Sequence, residues 1–287
     1  MFGFLNINKP KGITSFDVIA RLRKIFNIKQ IGHAGTLDPI ATGVLPVAVG
    51  KAARLLEFLD SDKAYIYECE FGKISNTYDM EGDVEFFAKS ELTSSQIEKA
   101  LSRFKGDILQ KPPLFSAVHH NGKRLYELAR KGEKPDDIKP RKVCVYEINL
   151  LEFDKTNQKA EIFVKCSAGT YIRSIIHDLG QLLGVGAVMT ELTRVEAGGM
   201  KIENSVTIDE LKETGTPCEY LLNPVDVLSC KKKILTDSEY KKVICGVAIE
   251  AEDTEACGNV LLTKDGEAVA IGQIEKDVLK IKKVFIK

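Results

Sequence analysis

Hydrophobic and polar positions alternate most strictly over residues 63–71, where Tyr65, Tyr67, Cys69 and Phe71 fall on one side and predict a strand with one buried face. The opening GFLNINK predicts a short strand, broken at Pro10 and Gly12. A helix is expected from Thr14, with the hydroxyls of Thr14 and Ser15 as caps and Phe16, Ile19, Leu22, Ile25 and Phe26 as its apolar stripe. Residues 31–42, rich in glycine and polar side chains, predict a loop. It leads into the apolar run 43–50, a buried strand that Pro46 would confine to an edge or a bulge. Residues 52–59 look helical.

Helical spacing returns over 94–104, with Ile97, Leu101 and Phe104 on one side, and residues 123–130 predict a second, strongly basic helix. Strands over 141–153 and 160–166 could pair. Thr170 is expected to cap a helix running through Leu183, with Ile172, Ile175, Ile176, Leu179 and one of Leu182 or Leu183 inward. A strand over 187–195 and a short helix over 208–213 complete the main body. Beyond Pro224 the pattern changes to short apolar segments at 247–251, 259–263, 268–274 and 278–286, separated by glycine and charged turns. The expected fold class is therefore α+β: a mixed, mainly antiparallel sheet flanked by helices over 1–228, then a small β-rich domain over 229–287.

A chain of 287 residues suits one main domain with a small one attached. No stretch approaches the ~18 apolar residues of a membrane span, and the opening MFGFLNINKPKG carries neither region of a signal peptide, so a cytoplasmic protein is expected. Cys69, Cys144, Cys166, Cys218, Cys230, Cys245 and Cys257 include no C-x-x-C pair, which argues against a zinc knuckle and for buried thiols. Net charge is zero, with 41 basic and 41 acidic side chains, yet the signs are segregated. Residues 1–55 hold eight Lys or Arg against Asp17 and Asp38; residues 103–142 hold eleven bases and five acids; residues 56–102 hold eleven acids and four bases. Two basic segments around an acidic one could form a groove for an anionic polymer.

The stretch richest in chemical signal is GHAGTLDPIATGVL, residues 32–45, in which Asp38 sits in a glycine-rich loop beside a buried strand. Loops on rigid scaffolds are where reactive groups tend to be placed. Taken alone, Asp38-Pro39 is more often a turn initiator than a catalytic acid. Four further segments change that weighting: N-K-P-x-G-x-T-S from Asn8, K-x-Y from Lys63, Q-x-P-P-x-F-S-A from Gln110 and C-S-x-G-T-Y-I-R from Cys166. With the Asp38 segment, in this order and spanning about residues 3–228, they resemble the bacterial tRNA pseudouridine synthase B (TruB) family.

That resemblance implies a pseudouridine synthase core, a PUA-like RNA-binding tail, an RNA-binding insertion at about 105–142, and conversion of uridine 55 in the T arm of tRNA to pseudouridine. It implies no cofactor, no metal and no guide RNA, with tRNA as partner and a monomer acting alone. Asp38 takes the role of the essential carboxylate, Tyr65 that of the active-site tyrosine, and Arg173 that of the cation holding the carboxylate ionised. Tyr171, Leu192, Gly35 and Thr36 fall at the substrate pocket, and His33 near the extruded nucleotide. Lys9, Lys11, Lys123, Arg124, Arg130 and Lys131 are candidate phosphate binders, each singly an ordinary surface charge. Two departures from the family pattern stand out: Phe115 replaces a frequent tyrosine, and His177 precedes Asp178 where an acid is frequent. The main competing reading is a non-catalytic RNA-binding or tRNA-folding protein on the same scaffold, disfavoured by Asp38, Tyr65 and Arg173 together; the second is a guide-RNA-dependent relative sharing G-T-L-D, disfavoured by the short tail.

Overall fold

The computed structural model describes residues 1–133, 135, 137–251 and 258–285. The chain divides into two compact units, one made of Met1–Asp60 with Glu196–Lys287, the other of Ser61–Val195. The architecture is α+β, with mainly antiparallel sheets, packed helices and a β-rich C-terminal part.

In the first unit the strand Phe2–Lys9 pairs antiparallel with Thr42–Gly50, Phe2 opposite Gly50 and Lys9 opposite Gly43. Residues 31–33 form a short strand where a loop was expected, pairing with Val47–Val49. Thr42–Gly50 therefore has neighbours on both edges, and Pro46 does not confine it to one. The Pro46 carbonyl accepts the Ala34 N–H at 2.9 Å, one residue beyond His33↔Val47 in the same register, and the reciprocal bond that a proline cannot donate is where the Ile31–His33 strand ends.

The helix Ser15–Phe26 begins at a reciprocal cap in which Thr14 Oγ1 accepts the Asp17 N–H and Asp17 Oδ2 accepts the Thr14 N–H. Its buried stripe is Ser15, Val18, Ile19, Leu22 and Phe26, while Phe16 is 65% exposed, contrary to expectation. Ser15 explains the rotation: its hydroxyl is bonded into the interior, and that turns the neighbouring Phe16 outward.

The tail carries its own five-stranded sheet, in the order Lys231–Ile234, Asn259–Lys264, Glu267–Glu275, Val278–Val284, Ile249–Glu250, with only the first pair parallel. The end of the expected last strand, Ile286, lies outside the described residues. A helix, Asp237–Ile244, stands where none was expected, although Thr236 and Glu239 form the T-x-x-E cap that announces one. One face of the sheet buries Leu262, Val269 and Leu279 with Leu235 and Val243. Leu261, Ala268, Ile271 and Phe285 belong instead to a core with Phe4, Val44, Ala48 and Leu55.

In the second unit the strands run in the order Lys63–Phe71, Lys159–Cys166, Arg141–Asp154, Gly106–Gln110, all antiparallel. The alternation expected for the first of them is present: Tyr65, Tyr67, Cys69 and Phe71 are buried. Thr93 caps the helix Ser94–Leu101 with Gln96 as its reciprocal partner. The basic helix expected over 123–130 is shorter, Leu125–Ala129, because Lys123 and Arg124 form one arm of a hairpin against His119–His120. Leu125, Leu128 and Ile138, with Leu114 and Val118, give this insertion a small core of its own.

Cys69 and Cys166 are buried thiols, lifted by burial to about 12 and about 11 respectively. Cys218 and Cys245 are exposed, against expectation, and Cys257 lies outside the described residues.

Candidate active site

In the first unit, half-buried Asp38 follows the buried Leu37 and precedes Pro39 and the buried Ile40 and Ala41. The backbone is clamped on both sides of the carboxylate. Ser15 Oγ accepts the Leu37 N–H at 2.9 Å and lies 3.2 Å from the Leu37 carbonyl. On the other side the Pro39 carbonyl accepts the Gly12 N–H at 2.8 Å and the Lys9 ammonium at 3.4 Å, and the Asp38 carbonyl accepts the Ala41 N–H at 3.0 Å. Gly12 sits at φ +88°, a left-handed conformation that admits this approach without a Cβ penalty. Gly35 and Thr36 are exposed just upstream, and His33 is half-buried at the end of its strand.

Lys9 is the clearest correction to the phosphate-binding candidates. Its side chain is fully buried, and its ammonium donates to the carbonyls of Pro10 (2.9 Å), Ile13 (2.7 Å) and Pro39. An ammonium so enclosed is spent on the loop backbone and cannot reach a phosphate in solvent. Lys11, by contrast, is exposed.

In the second unit Tyr65 is 7% exposed on its strand, and the guanidinium of Arg194 donates a hydrogen bond to its hydroxyl. Arg194 is fully buried. Burial pulls its pKa below the ordinary arginine value, an effect the Tyr65 contact opposes, and the Lys63 pKa is likewise lowered by burial and by the Arg194 charge. Sequence reasoning missed Arg194. Its signal was parity: Leu192 and Arg194 lie two apart in the strand Ala187–Ala197, so they share a face, and a charged residue on a buried face calls for a functional reading.

Arg173 stands in the first turn of the helix Ile172–Leu183 and is buried, not a surface arginine. Nη1 lies 3.3 Å from Asp79 Oδ2 and donates to the Thr77 carbonyl at 3.1 Å, while Nη2 donates to the Phe115 carbonyl at 3.1 Å. Asp79 is 2% exposed and was not anticipated. The helix start is not capped by Thr170, whose hydroxyl turns back to the Ser167 carbonyl. Gln110 supplies that function from a distance: its Oε1 accepts the Tyr171 N–H at 2.7 Å and its Nε2 donates to the Tyr171 carbonyl at 3.0 Å. Ser174 Oγ also donates to the Lys111 carbonyl at 2.9 Å. The Q-x-P-P-x-F and Y-I-R segments are thereby brought together, with half-buried Tyr171 at their junction.

On the insertion, Lys123, Arg124, Arg130 and Lys131 are all exposed. The guanidinium groups of Arg124 and Arg130 flank the Tyr126 ring at 6.0 and 5.5 Å, an aromatic among cations that sequence reasoning did not single out.

Residues 23–172 match the family model described as TruB family pseudouridylate synthase (N terminal domain), and residues 173–228 that of the tRNA pseudouridylate synthase B C-terminal domain. The tRNA pseudouridine synthase B of Syntrophomonas wolfei is 40% identical over 99% of this chain and 99% of its own length. That of Aquifex aeolicus is 37% identical over the whole of both chains. Among solved structures, an H/ACA RNP bound to a substrate RNA containing 2′-deoxyuridine holds a chain similar to this one, with a TM-score of 0.76 and 26% identity over 100% of this chain and 86% of that one.

Proposed function

The chain belongs to the TruB family of pseudouridylate synthases, and from that premise we propose that it isomerises uridine 55 in the T arm of tRNA to pseudouridine, with Asp38 as the essential group. The observation that carries this reading is the likeness, along the full length, to relatives named tRNA pseudouridine synthase B. The reaction breaks the bond from uracil N1 to ribose C1′, turns the base and joins C5 to C1′; the C5 hydrogen is lost as a proton and N1 gains one. No electrons are exchanged, so no redox cofactor is called for.

Isomerisation needs a carboxylate that bonds to the sugar or stabilises positive charge on it, and that role belongs to Asp38. A clamped loop suits it, since little reorganisation is then left for the moment of reaction. In this reading Arg173 meets the carboxylate and keeps it ionised. Tyr65 stacks on the uracil with its hydroxyl oriented by Arg194, and Tyr171 and Leu192 wall the pocket together with Gly35 and Thr36.

The uridine is extruded from the folded loop at a cost of a few kcal/mol, offset by phosphate contacts from Lys11 and from the cationic cluster around Tyr126, with His33 near the flipped nucleotide. The PUA-like tail adds RNA contacts. The enzyme works on tRNA alone in the cytoplasm, as a monomer without guide RNA.

The test is release of tritium from C5-labelled tRNA transcript by the purified chain. A single equivalent per tRNA is expected, abolished by changing the T-arm uridine to cytidine. No release from bare transcript would sink the stand-alone reading.

A further inference from the structure

Arg173 and His177 stand four residues apart on the helix Ile172–Leu183, one turn apart on one face. Both reach the same turn of the chain. Arg173 takes the Asp79 carboxylate and the Thr77 carbonyl. The His177 imidazole lies flat on the Tyr78 ring, centroids 4.0 Å apart and planes 16° from parallel. Tyr78 is the residue of that turn with a left-handed backbone, at φ +67°, a region that residues bearing side chains rarely occupy and hold only where neighbours enforce it.

The rest of the turn is braced around this point. The Tyr78 N–H donates to the Ser75 carbonyl at 3.2 Å, and the Tyr78 carbonyl accepts the Met189 N–H at 3.0 Å, in the strand that carries Leu192 and Arg194. Thr77 Oγ1 and the Glu81 N–H both donate to Asp79 Oδ1, leaving Oδ2 to face Arg173. Asn76 and Asp83 cross-link the base of the turn, and Gly82 admits that closure because a Cβ there would lie 2.2 Å from Asn76 Oδ1.

We propose that His177 and Tyr78 form a positioning pair: the imidazole stacked on the tyrosine ring holds the left-handed Tyr78 peptide, so that the adjacent Asp79 carboxylate is presented to Arg173 one helical turn away. Position 177 is one of the two places where this chain departs from the family pattern, and the stack gives that departure a physical role. Neither residue touches the uridine. The inference rests on Arg173 acting in the reaction as read above.

The experiment measures kcat and KM for tritium release from labelled tRNA with the full chain, its His177→Ala, His177→Phe and Tyr78→Ala variants and the double alanine variant, with Arg173→Lys as reference. Both single alanine variants should lose roughly 3- to 10-fold in kcat, the size of effect an aromatic pair can carry, with KM nearly unchanged. The double variant should be no worse than either single one, and His177→Phe, which keeps a flat ring, should retain wild-type kcat. Wild-type kcat in His177→Ala beside an impaired Arg173→Lys would overturn the pair and leave the site reading standing. Wild-type kcat in both would overturn the role of Arg173 and the pair with it. A lower Tm without a change in kcat, or His177→Phe failing as badly as His177→Ala, would reduce the stack to ordinary packing and also overturn the proposal.

Discussion

The loop that carries Asp38 is held through its backbone: Ser15, Gly12 and Lys9 hold the Leu37 N–H and the carbonyls of Leu37 and Pro39, and the carboxylate itself is half-buried between them. The turn that meets Arg173 is held the other way, through side chains, with a buried carboxylate, a buried guanidinium and a ring stack drawn from distant parts of the chain. Backbone clamping fixes where a group sits through the main-chain groups of its own segment. Side-chain pairing fixes the group itself: the Asp79 carboxylate is held by Arg173, by Thr77 Oγ1 and by the Glu81 N–H. The contrast fits a nucleophilic or charge-stabilising role for Asp38 and a supporting one for Asp79.

The sharpest way to break that contrast is to compare the two carboxylates. Asp38→Asn should abolish turnover, by on the order of 10³-fold or more, while Kd for tRNA stays nearly unchanged, because phosphate contacts dominate affinity. Measurable multiple turnover by this variant would remove Asp38 from its role. Asp79→Ala should instead act on the fold as well as on rate. Breaking a buried ion pair strands the remaining charge, at a cost of about 3 kcal/mol or somewhat less here, since Arg173 keeps its bonds to Thr77 and Phe115. Denaturant unfolding checks this, and wild-type stability would mean that Arg173 does not need Asp79. Arg173→Lys should not rescue what Arg173 does, because a point charge cannot serve the Thr77 carbonyl, the Asp79 carboxylate and the Phe115 carbonyl together.

The same contrast explains what could be read from the chain in advance. The Asp38 clamp is local: Lys9, Gly12 and Ser15 lie within about one supersecondary unit of Pro39, and the N-K-P-x-G-x-T-S segment was already marked. Even so, Lys9 was assigned to the surface, because nothing in a sequence says whether an ammonium turns toward phosphate or toward carbonyl oxygens. Strand Lys63–Phe71 was legible from its alternation, as was the helix that carries Arg173. The Asp79 partnership was not: it links residues almost a hundred positions apart through a turn that has no periodicity. Thr170 looked like a cap by composition, but Gln110 offered both a donor and an acceptor to Tyr171 and displaced it. Phe16 was misplaced because a hydroxyl, Ser15, outweighed an aromatic ring in setting the helix's rotation.

A smaller effect separates the two lysines of the amino-terminal segment. Lys9→Met should lower stability by about 1 to 3 kcal/mol, since the Pro10 and Ile13 carbonyls, both in partly buried hydrogen bonds, lose their donor. It should also slow turnover by loosening the Asp38 loop, yet leave the salt dependence of tRNA binding as it was. Lys11→Met should do the reverse, keeping Tm and reducing the slope of log K against log salt by roughly 0.7 to 0.9 if it neutralises one phosphate. A reduced slope for Lys9→Met would return that residue to the RNA surface and dissolve the backbone clamp.

The smallest expected effect lies on the side-chain-held turn and concerns pH. Burial holds the His177 imidazole below its ordinary value of 6.5. As pH falls, the unfolded chain therefore takes up this proton before the folded one does. The contribution of neutral His177 to stability is complete above about 6.5 and is lost as pH drops from there through the lower folded value. His177→Phe cannot titrate, so it should show no such loss while other groups titrate alike in both proteins. The Tm of the variant relative to wild type should accordingly rise between pH 7 and pH 5, by under about 2 °C given the half-exposed ring and the size of the chain. Asp38 turnover provides the internal comparison: over the same range the backbone-clamped loop has no histidine among its clamping residues, so any acid-side loss of kcat that His177→Phe abolishes must arise at the Tyr78–Asp79 turn. A Tm difference that stays flat from pH 7 to pH 5 would show that the imidazole keeps its ordinary affinity for protons in the stack.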